Sequence, residues 1–434
     1  MTKKNKRDRA GEETKSFSFL SAQFDGIDAK TVHSHIFLLI LASLVLKFLV
    51  IIVTTGVFHS FIDYFDIGVY LKHGMMLIQG QMPFDSEFGY PVLILVPVLL
   101  ALVPALILQN AMAFAYTFQI LMVICDIVTI LCVYFIGLKL WNEKRAFYGG
   151  LVYASAFSCA YFVMAKYDAF PACLLMLAVT FTIYRKEMMG YAASIVGFFS
   201  KVFPVLALPF FVLFNAKESS LKQEIIAAAK VVLPVSAVLF IPLFLIQPET
   251  LKIYIPVRSE LGYYSNTLTF TLYSWIHDVF KIPIPIGLIS MIMYIGMGLG
   301  ILALLYAAYK IPGKNPRLLI QLLLCAIVLT VICARVRSPQ YIVWFTPLIC
   351  LLVMDDIKKI IALFVFQALA YIEFPLMFGA FYVSTSYTDP LLSTGWFITL
   401  IVFTLEYLAL FVCLWLVVNP LEIYRKVRLA TNNG

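Results

Sequence analysis

Long runs of apolar residues, rather than an alternation of apolar and polar positions, dominate this chain. Twelve runs approach or reach the length needed to cross about 30 Å of hydrocarbon as a helix. They cover residues 34–57, 90–110, 112–138, 147–164, 169–184, 190–214, 226–246, 283–308, 317–334, 340–354, 358–382 and 395–418. The pattern predicts an all-α polytopic membrane protein.

The composition supports this prediction and excludes other classes. The chain has 434 residues, of which 62% are hydrophobic and 13% charged, whereas soluble domains are nearer half apolar and a quarter charged. A single soluble core would not absorb so much apolar side chain. Soluble globular, disordered, collagenous and small disulfide-rich proteins are therefore excluded. All eight cysteines fall within apolar runs, where we interpret them as small packing residues.

The formal charge of +8 becomes informative when it is divided among the connecting segments. Basic residues tend to flank membrane helices on the cytoplasmic side. They cluster at residues 3–7, 139–145, 185–186, 217–222, 310–317, 358–359 and 425–428. We therefore expect all these segments, and both termini, to be cytoplasmic.

Two runs cannot cross the membrane if these segments share one side. The run at 90–110 carries Pro91, Pro97 and Pro104, which interrupt helices, and we expect it to dip in from the outer side. The run at 190–214 has basic residues on both flanks and is predicted to form a hairpin of two short helices entering from the cytoplasm. About ten full transmembrane helices remain, together with these partial ones.

The resulting map has one transmembrane domain at 34–418 between cytoplasmic tails at 1–33 and 419–434. Its outer loops cover residues 58–111, 247–282 and 335–340. The amino terminus lacks the short apolar core and cleavage site of a secretory signal, so the first run is expected to remain as an anchor. Any chemistry would take place at the outer face.

The first outer loop carries acidic residues with helical spacing. Asp63 and Asp66 are separated by one turn, and Tyr70 follows one turn after Asp66. The alternative is that a loop beside a membrane carries acids because it is hydrated. Lys166 and Asp168 lie at another outer boundary, where lysine can extend to the interface, whereas an aspartate at depth usually faces a cavity.

Several cations remain outside the cytoplasmic set. Arg335 and Arg337 fall on an outer loop, Arg258 on another, and Lys201 within the hairpin. A guanidinium group suits phosphate oxygens, so we interpret these residues as candidates for binding an anionic lipid phosphate. The alternative is that the two loop arginines anchor a helix at the headgroups.

Four short motifs, in order along residues 34–355, resemble the GT-C superfamily of membrane glycosyltransferases, and most closely the polyprenyl-phosphate-mannose-dependent mannosyltransferases. The motifs are Asp66-Ile67-Gly68-Val69-Tyr70 with Gly80, Pro83-Phe84-Asp85 and Tyr90-Pro91; Lys166-Tyr167-Asp168 with Phe170-Pro171-Ala172; Ser200-Lys201-Val202-Phe203-Pro204 with Pro209; and Ser338-Pro339-Gln340-Tyr341 with Trp344 and Pro347.

The resemblance implies a GT-C-like fold and inverting transfer of a sugar, mannose in the closest members, from a polyprenyl phosphate to a lipid-linked or glycan acceptor outside the cytoplasm. It implies that an aspartate of the first outer loop is the general base. The matching residue is Asp66, with Asp63 as the alternative. Distant members bind a divalent metal through Asp-x-Asp. The spacing here is Asp-x-x-Asp, so we expect no metal or other cofactor.

The remaining roles follow from the chemistry of such a transfer. Substrate binding is assigned to Tyr70, Lys166, Asp168, Tyr263, Tyr264, Gln340 and Tyr341, and phosphate binding to Lys201, Arg258, Arg335 and Arg337. Interfacial aromatic belts are another explanation for the tyrosines. We expect membrane lipids as partners and no nucleic acid.

The location expected for such an enzyme is a cell membrane, or the membrane of the endoplasmic reticulum if the protein is eukaryotic. A transporter or flippase of a polyprenyl-phosphate-linked or other anionic substrate is the alternative function. A purely structural membrane subunit is a further alternative.

Overall fold

The computed structural model describes residues 28–53, 56, 64–81, 90–246, 262–377 and 394–432. Every regular element within these ranges is helical. We number the α-helices in chain order as α1 Ala29–Ile52, α2 Phe65–Ile78, α3 Leu95–Leu108, α4 Ala111–Leu140, α5 Glu143–Ala154, α6 Phe157–Ala165, α7 Ala169–Ile183, α8 Glu187–Ser200, α9 Ala207–Asn215, α10 Leu221–Ile246, α11 Leu268–Tyr273, α12 Ile286–Lys310, α13 Pro316–Cys333, α14 Ile342–Cys350, α15 Ile357–Tyr371, α16 Thr394–Val418 and α17 Pro420–Asn432.

Seven of the described helices are long and apolar enough to cross a membrane. They are α1, α4, α10, α12, α13, α16 and α15, the last extended by a π-helical turn to Met377. The helices α5 and α6 meet at a 57° bend, and they form an eighth span if the two are counted together. The protein is therefore a multi-pass α-helical membrane protein.

Two predicted crossings form helices too short to span the hydrocarbon. The run at 169–184 becomes the 15-residue α7, and the run at 340–354 becomes a 3-10 turn at Pro339–Tyr341 and the nine-residue α14. At about 1.5 Å per residue, neither helix spans 30 Å. The helix α7 covers nearly all of its run, which was itself short, whereas α14 ends at Cys350 although the chain stays apolar through Met354.

Side-chain caps explain where several helices begin. Asn110, Asn142, Asn315 and Asp356 each accept a hydrogen bond from a backbone N–H in the first turn of the following helix. Such caps satisfy donors that a helix start would otherwise leave free. At α3 the helix ends at Gln109, whose φ of 49° is left-handed.

The two regions predicted not to cross are short helices in the structure. The proline-containing run forms a 3-10 turn at Val92–Ile94 followed by α3. The second run forms α8, a 3-10 turn at Phe203–Leu206, and α9. Lys314 contacts both Glu187 and Glu218, at 3.4 and 3.0 Å, so the two ends of this segment lie together. It is the predicted helical hairpin, with Lys201 at its tip.

The hairpin is closely packed near its tip. A Cβ atom added to Gly197 would lie 2.6 Å from the Cβ of Pro204, a separation that no side chain tolerates. Ser194 also donates a hydrogen bond to the Pro204 carbonyl at 2.8 Å. Only glycine allows this approach, and the approach holds the chain reversal that presents Lys201.

Most of the predicted cytoplasmic loops meet at one end of the helical bundle. Trp141 donates a hydrogen bond to the Leu351 carbonyl at 2.9 Å and lies 4.8 Å from the Arg317 guanidinium. Arg317 contacts Asp355 at 2.7 Å, and Arg185 contacts Glu218 at 2.9 Å. We call this set, residues 139–145, 185–187, 217–218, 310–317 and 355–359, the basic collar.

Candidate functional site

Four of the predicted site residues form two adjacent ion pairs. Lys166 Nζ lies 3.0 Å from Asp66 Oδ2, and Lys201 Nζ lies 2.5 Å from Asp168 Oδ1. The Lys201 ammonium also interacts electrostatically with Asp66 and Lys166. We call these four residues the carboxylate–lysine cluster. Its formal charges cancel. The free-energy cost of burying the four groups in a region of low dielectric is therefore lower than for an unpaired charge.

Asp66 begins the cluster from the first turn of α2. A carboxylate is stabilised there by the positive end of the helix dipole. Its side chain retains 16% of its accessible surface, against 8% for Lys166. The aspartate is therefore the more accessible member of its pair, as a group that meets a substrate must be.

Asp168 is the deeply buried acid of the cluster. Its side chain has no solvent exposure, and Oδ1 accepts a hydrogen bond from Trp344 Nε1 at 2.6 Å in addition to the contact with Lys201. The other oxygen, Oδ2, is buried and has no hydrogen-bond partner within the described part of the chain. A buried acceptor left in this state is costly, and the carboxylate depends on Lys201 and Trp344 for compensation.

Aromatic rings surround the Lys201 ammonium. Its Nζ lies 4.6 Å from the ring centre of Tyr167 and 4.8 Å from those of Tyr341 and Trp344. Tyr341 stacks on Trp344 at 3.9 Å, and Phe203 stacks on it at 4.2 Å. Such rings attract a cation. Together they fix the position of the Lys201 ammonium.

Tyr70 connects α2 to the same wall. Its ring meets those of Tyr90 and Tyr167 edge to face, at 5.4 and 5.9 Å. Tyr90 also meets Tyr167 edge to face, at 5.6 Å, so these three rings pack against one another beside the carboxylate–lysine cluster.

Arg335 lies on the loop before Tyr341. Its guanidinium is 4.6 Å from the ring centre of Tyr263, and its carbonyl accepts a hydrogen bond from the Tyr264 backbone at 3.1 Å. Its Nε is buried without a hydrogen-bond partner among the described residues. The predicted residues Tyr263, Tyr264 and Arg335 thus lie together, while Gln340 is half-buried in the 3-10 turn.

Arg337 has a different environment from the one expected of a phosphate ligand. It is 3% exposed and donates to Glu406, to Glu373 at 3.3 Å and to the Asn266 carbonyl at 3.1 Å. These partners occupy its guanidinium in the interior. The residue joins its loop to the π-helical turn after α15 and to the middle of α16, and we do not assign it to a phosphate below.

Two predicted site residues, Asp63 and Arg258, lie outside the described residues. The part of the first loop with Pro83, Phe84 and Asp85 also lies outside them. Whether Asp63 or Asp66 is nearer to a substrate therefore stays a prediction.

Sequence reasoning missed a third set of buried charges. Lys47 Nζ lies 2.5 Å from Asp126 Oδ2 and donates to Ser43, and Tyr153 donates to Asp126 at 2.8 Å. Both charged side chains are about 95% buried. A single lysine within the first apolar run and a single aspartate within the third were the available signal, because isolated charges inside a span pair with each other.

Among the described residues, no group of three or more His, Cys, Asp or Glu side chains could hold a metal ion. The eight cysteines are free, and six of them are buried.

No protein-family model matches the chain, and a comparison with curated protein sequences finds no match. The function is therefore inferred from the site itself and from the sequence motifs.

Proposed function

We propose that this protein is an inverting membrane glycosyltransferase that moves a sugar from a polyprenyl phosphate to an acceptor hydroxyl. The observation that carries the proposal is the carboxylate–lysine cluster. Asp66, Asp168 and Lys201 of this cluster come from three motifs far apart in sequence. Trp344, which donates a hydrogen bond to Asp168, comes from the fourth. The same four motifs carry the resemblance to GT-C enzymes, in which they would act together.

Asp66 is assigned as the general base. In the transfer, the acceptor oxygen forms a bond to the anomeric carbon, and the bond from that carbon to the lipid phosphate breaks. The acceptor proton passes to a carboxylate, a contribution of about 10²–10⁴-fold in such reactions. Lys166 orients Asp66 through a 3.0 Å contact with Oδ2, which leaves Asp66 Oδ1 for the hydroxyl.

Asp168 and the two cations, Lys201 and Arg335, have separate roles in this proposal. Asp168 is fully buried and fixes the Lys201 ammonium through their 2.5 Å contact, so it supports the site without meeting the sugar. Lys201 and Arg335 offset the charge that develops on the leaving phosphate, since preorganised cations lower the energy of such a transition state. Mannose as the sugar follows from the sequence resemblance alone.

We also propose that the cluster faces the outside and the basic collar the cytoplasm, with both termini inside. The excess of basic residues at the collar supports this orientation. A cysteine replacing Asn142 should react with membrane-impermeant maleimide only after the membrane is opened. Labelling in sealed right-side-out vesicles would contradict it.

The central test is sugar transfer in nanodiscs from radiolabelled polyprenyl-phosphate mannose, with wild type, Asp66→Asn and Asp66→Glu. We expect Asp66→Asn to lower kcat by about 10²–10⁴-fold, measured per folded protein. Asp66→Glu, which keeps a carboxylate for Lys166, should retain part of the activity and the folding temperature of the wild type. A chelator should have no effect. Full activity of Asp66→Asn, with loss in Asp63→Asn, would transfer the role of base to Asp63.

The buried pairs at Lys47–Asp126 and at Arg337–Glu373–Glu406 favour one alternative. Intramembrane charges also mark substrate pathways in transporters, so a transporter or flippase of an anionic lipid remains a second candidate. Movement of a fluorescent polyprenyl phosphate across proteoliposomes, without transfer to any acceptor, would support it.

A further inference from the structure

A cavity of about 740 Å³ lies beside the carboxylate–lysine cluster, between α1, α4 and α6. Its walls are mainly apolar and include Leu44 and Phe48 of α1, Ile120 and Val123 of α4, and Tyr161 of α6. This volume is within the range of sites that take small ligands. The cavity is separate from the aromatic wall around Lys201, which none of these residues joins.

The cavity opens toward the surface that the lipid bilayer would cover. Phe48 is 62% exposed and Ile120 59% exposed, and both belong to helices long and apolar enough to span a membrane. Large apolar side chains exposed on such helices face hydrocarbon. A molecule that enters from this side must therefore arrive from within the bilayer.

The charged side chain in the cavity wall already has its partners within the protein. Lys47 contributes to the wall, but its ammonium pairs with Asp126 at 2.5 Å and donates to Ser43. Lys47 therefore does not need an anionic ligand, and the occupant that fits this apolar cavity is an uncharged hydrocarbon chain.

The cavity approaches the proposed base through neighbouring residues, although Asp66 itself does not line it. Its wall includes Tyr64, two residues before Asp66, and Ala165, which directly precedes Lys166. The cations available to a phosphate, Lys201 and Arg335, are associated instead with Tyr341, Trp344 and Tyr263. The site thus has a base beside the cavity and phosphate-binding cations on other elements.

We infer that the cavity takes the hydrocarbon chain of the acceptor, so that the acceptor is a hydroxyl-bearing membrane lipid rather than a water-soluble glycan. This inference depends on the proposed function. The acceptor hydroxyl reaches Asp66 from the cavity side, loses its proton to that carboxylate and bonds to the anomeric carbon, while the lipid phosphate departs. The donor chain lies elsewhere.

The test compares acceptors with one headgroup and different chains, using hexadecyl and butyl α-mannoside in nanodiscs. We expect the KM of wild type for the hexadecyl compound to be lower by at least about 10-fold, because the longer chain buries more apolar surface. Ile120→Trp and Val123→Trp, which fill the cavity, should abolish this preference and leave the KM for the donor unchanged. Leu299→Trp, a lipid-facing position on α12, is the matched control.

Two outcomes would overturn the inference. In one, the tryptophan variants raise the KM for a long-chain donor instead, which assigns the cavity to the donor. In the other, chain length has no effect and both variants match Leu299→Trp. A photoreactive hexadecyl mannoside is the second readout, since it should label α1 and α4 in wild type and in Asp66→Asn. Absence of transfer to every acceptor, with this labelling intact, would instead contradict the proposed function.

Discussion

The two ends of the helical bundle use charge in opposite ways. At the basic collar, Arg185 and Glu218 pair with 72% and 44% of their side chains exposed. In the carboxylate–lysine cluster, Lys201 is 15% exposed and Asp168 not at all. Exposed pairs contribute little to stability, whereas removing one partner of a buried pair leaves a charge without compensation. The number of charges at an end therefore says little about their importance there.

The largest effect on stability is expected in the interior, at Arg337. Arg337→Met leaves Glu373 and Glu406 buried without their cation, which should cost about 3–5 kcal/mol and abolish monodisperse protein on size exclusion. Adding Glu373→Gln and Glu406→Gln should restore part of the folded yield. A folded, fully stable single variant would show that the carboxylates are compensated by other groups.

Trp344→Phe tests the cluster with a smaller change. It keeps an aromatic ring stacked beside Lys201 but removes the hydrogen bond to Asp168. Hydrogen bonds to charged groups contribute about 1.5–3 kcal/mol, so thermal unfolding in detergent should shift clearly downward. Phe345→Leu, a buried change on the same helix, is a control for packing. An unchanged unfolding temperature would mean that Lys201 alone satisfies Asp168.

Arg317→Ala is the matching change at the collar. Arg317 pairs with Asp355 at 2.7 Å while 35% exposed, and solvent screens such a pair. We expect at most about 1 kcal/mol of destabilisation, reduced further by salt. A loss as large as that of Arg337→Met would remove the distinction between the two ends.

The smallest effect concerns the pH response of the collar. A hydrogen bond from Lys314 lowers the pKa of Glu218 below its ordinary value of 4.5. A lowered carboxyl pKa stabilises the fold above the ordinary value, and this contribution is lost as the pH falls through the lowered one. Thermal unfolding of wild type and Glu218→Gln should therefore differ slightly at pH 7 and converge at pH 3. A difference that grows in acid would contradict this sign.

Hydropathy and charge together predicted much of this architecture. The long spans, the helical hairpin with Lys201 at its tip and the meeting of the basic loops follow from local properties of the sequence. The length of α14 did not, because this helix ends at Cys350 although the chain remains apolar through Met354. Such ends depend on tertiary packing rather than on local composition.

The candidate site was predictable in its members but not in its pairings. Asp66, Lys166, Asp168 and Lys201 were recognisable as charges out of place in an apolar setting. That Lys166 pairs with Asp66 rather than with nearby Asp168 depends on how α2, α7 and the hairpin meet in space. The same limitation explains Arg337, since Glu373 and Glu406 are 36 and 69 residues away.

The helical hairpin at 187–215 has a consequence for how insertions and deletions would act on this protein. Its base is held at the collar by Lys314, while its tip delivers Lys201 to Asp168. The 14 residues of α8 therefore work as a spacer of fixed length, about 21 Å at 1.5 Å per residue. One turn more or less would displace the lysine by about 5.4 Å along the helix axis, which exceeds its 2.5 Å contact with Asp168. The length of α8 is thus under stricter constraint than the identity of its lipid-facing side chains.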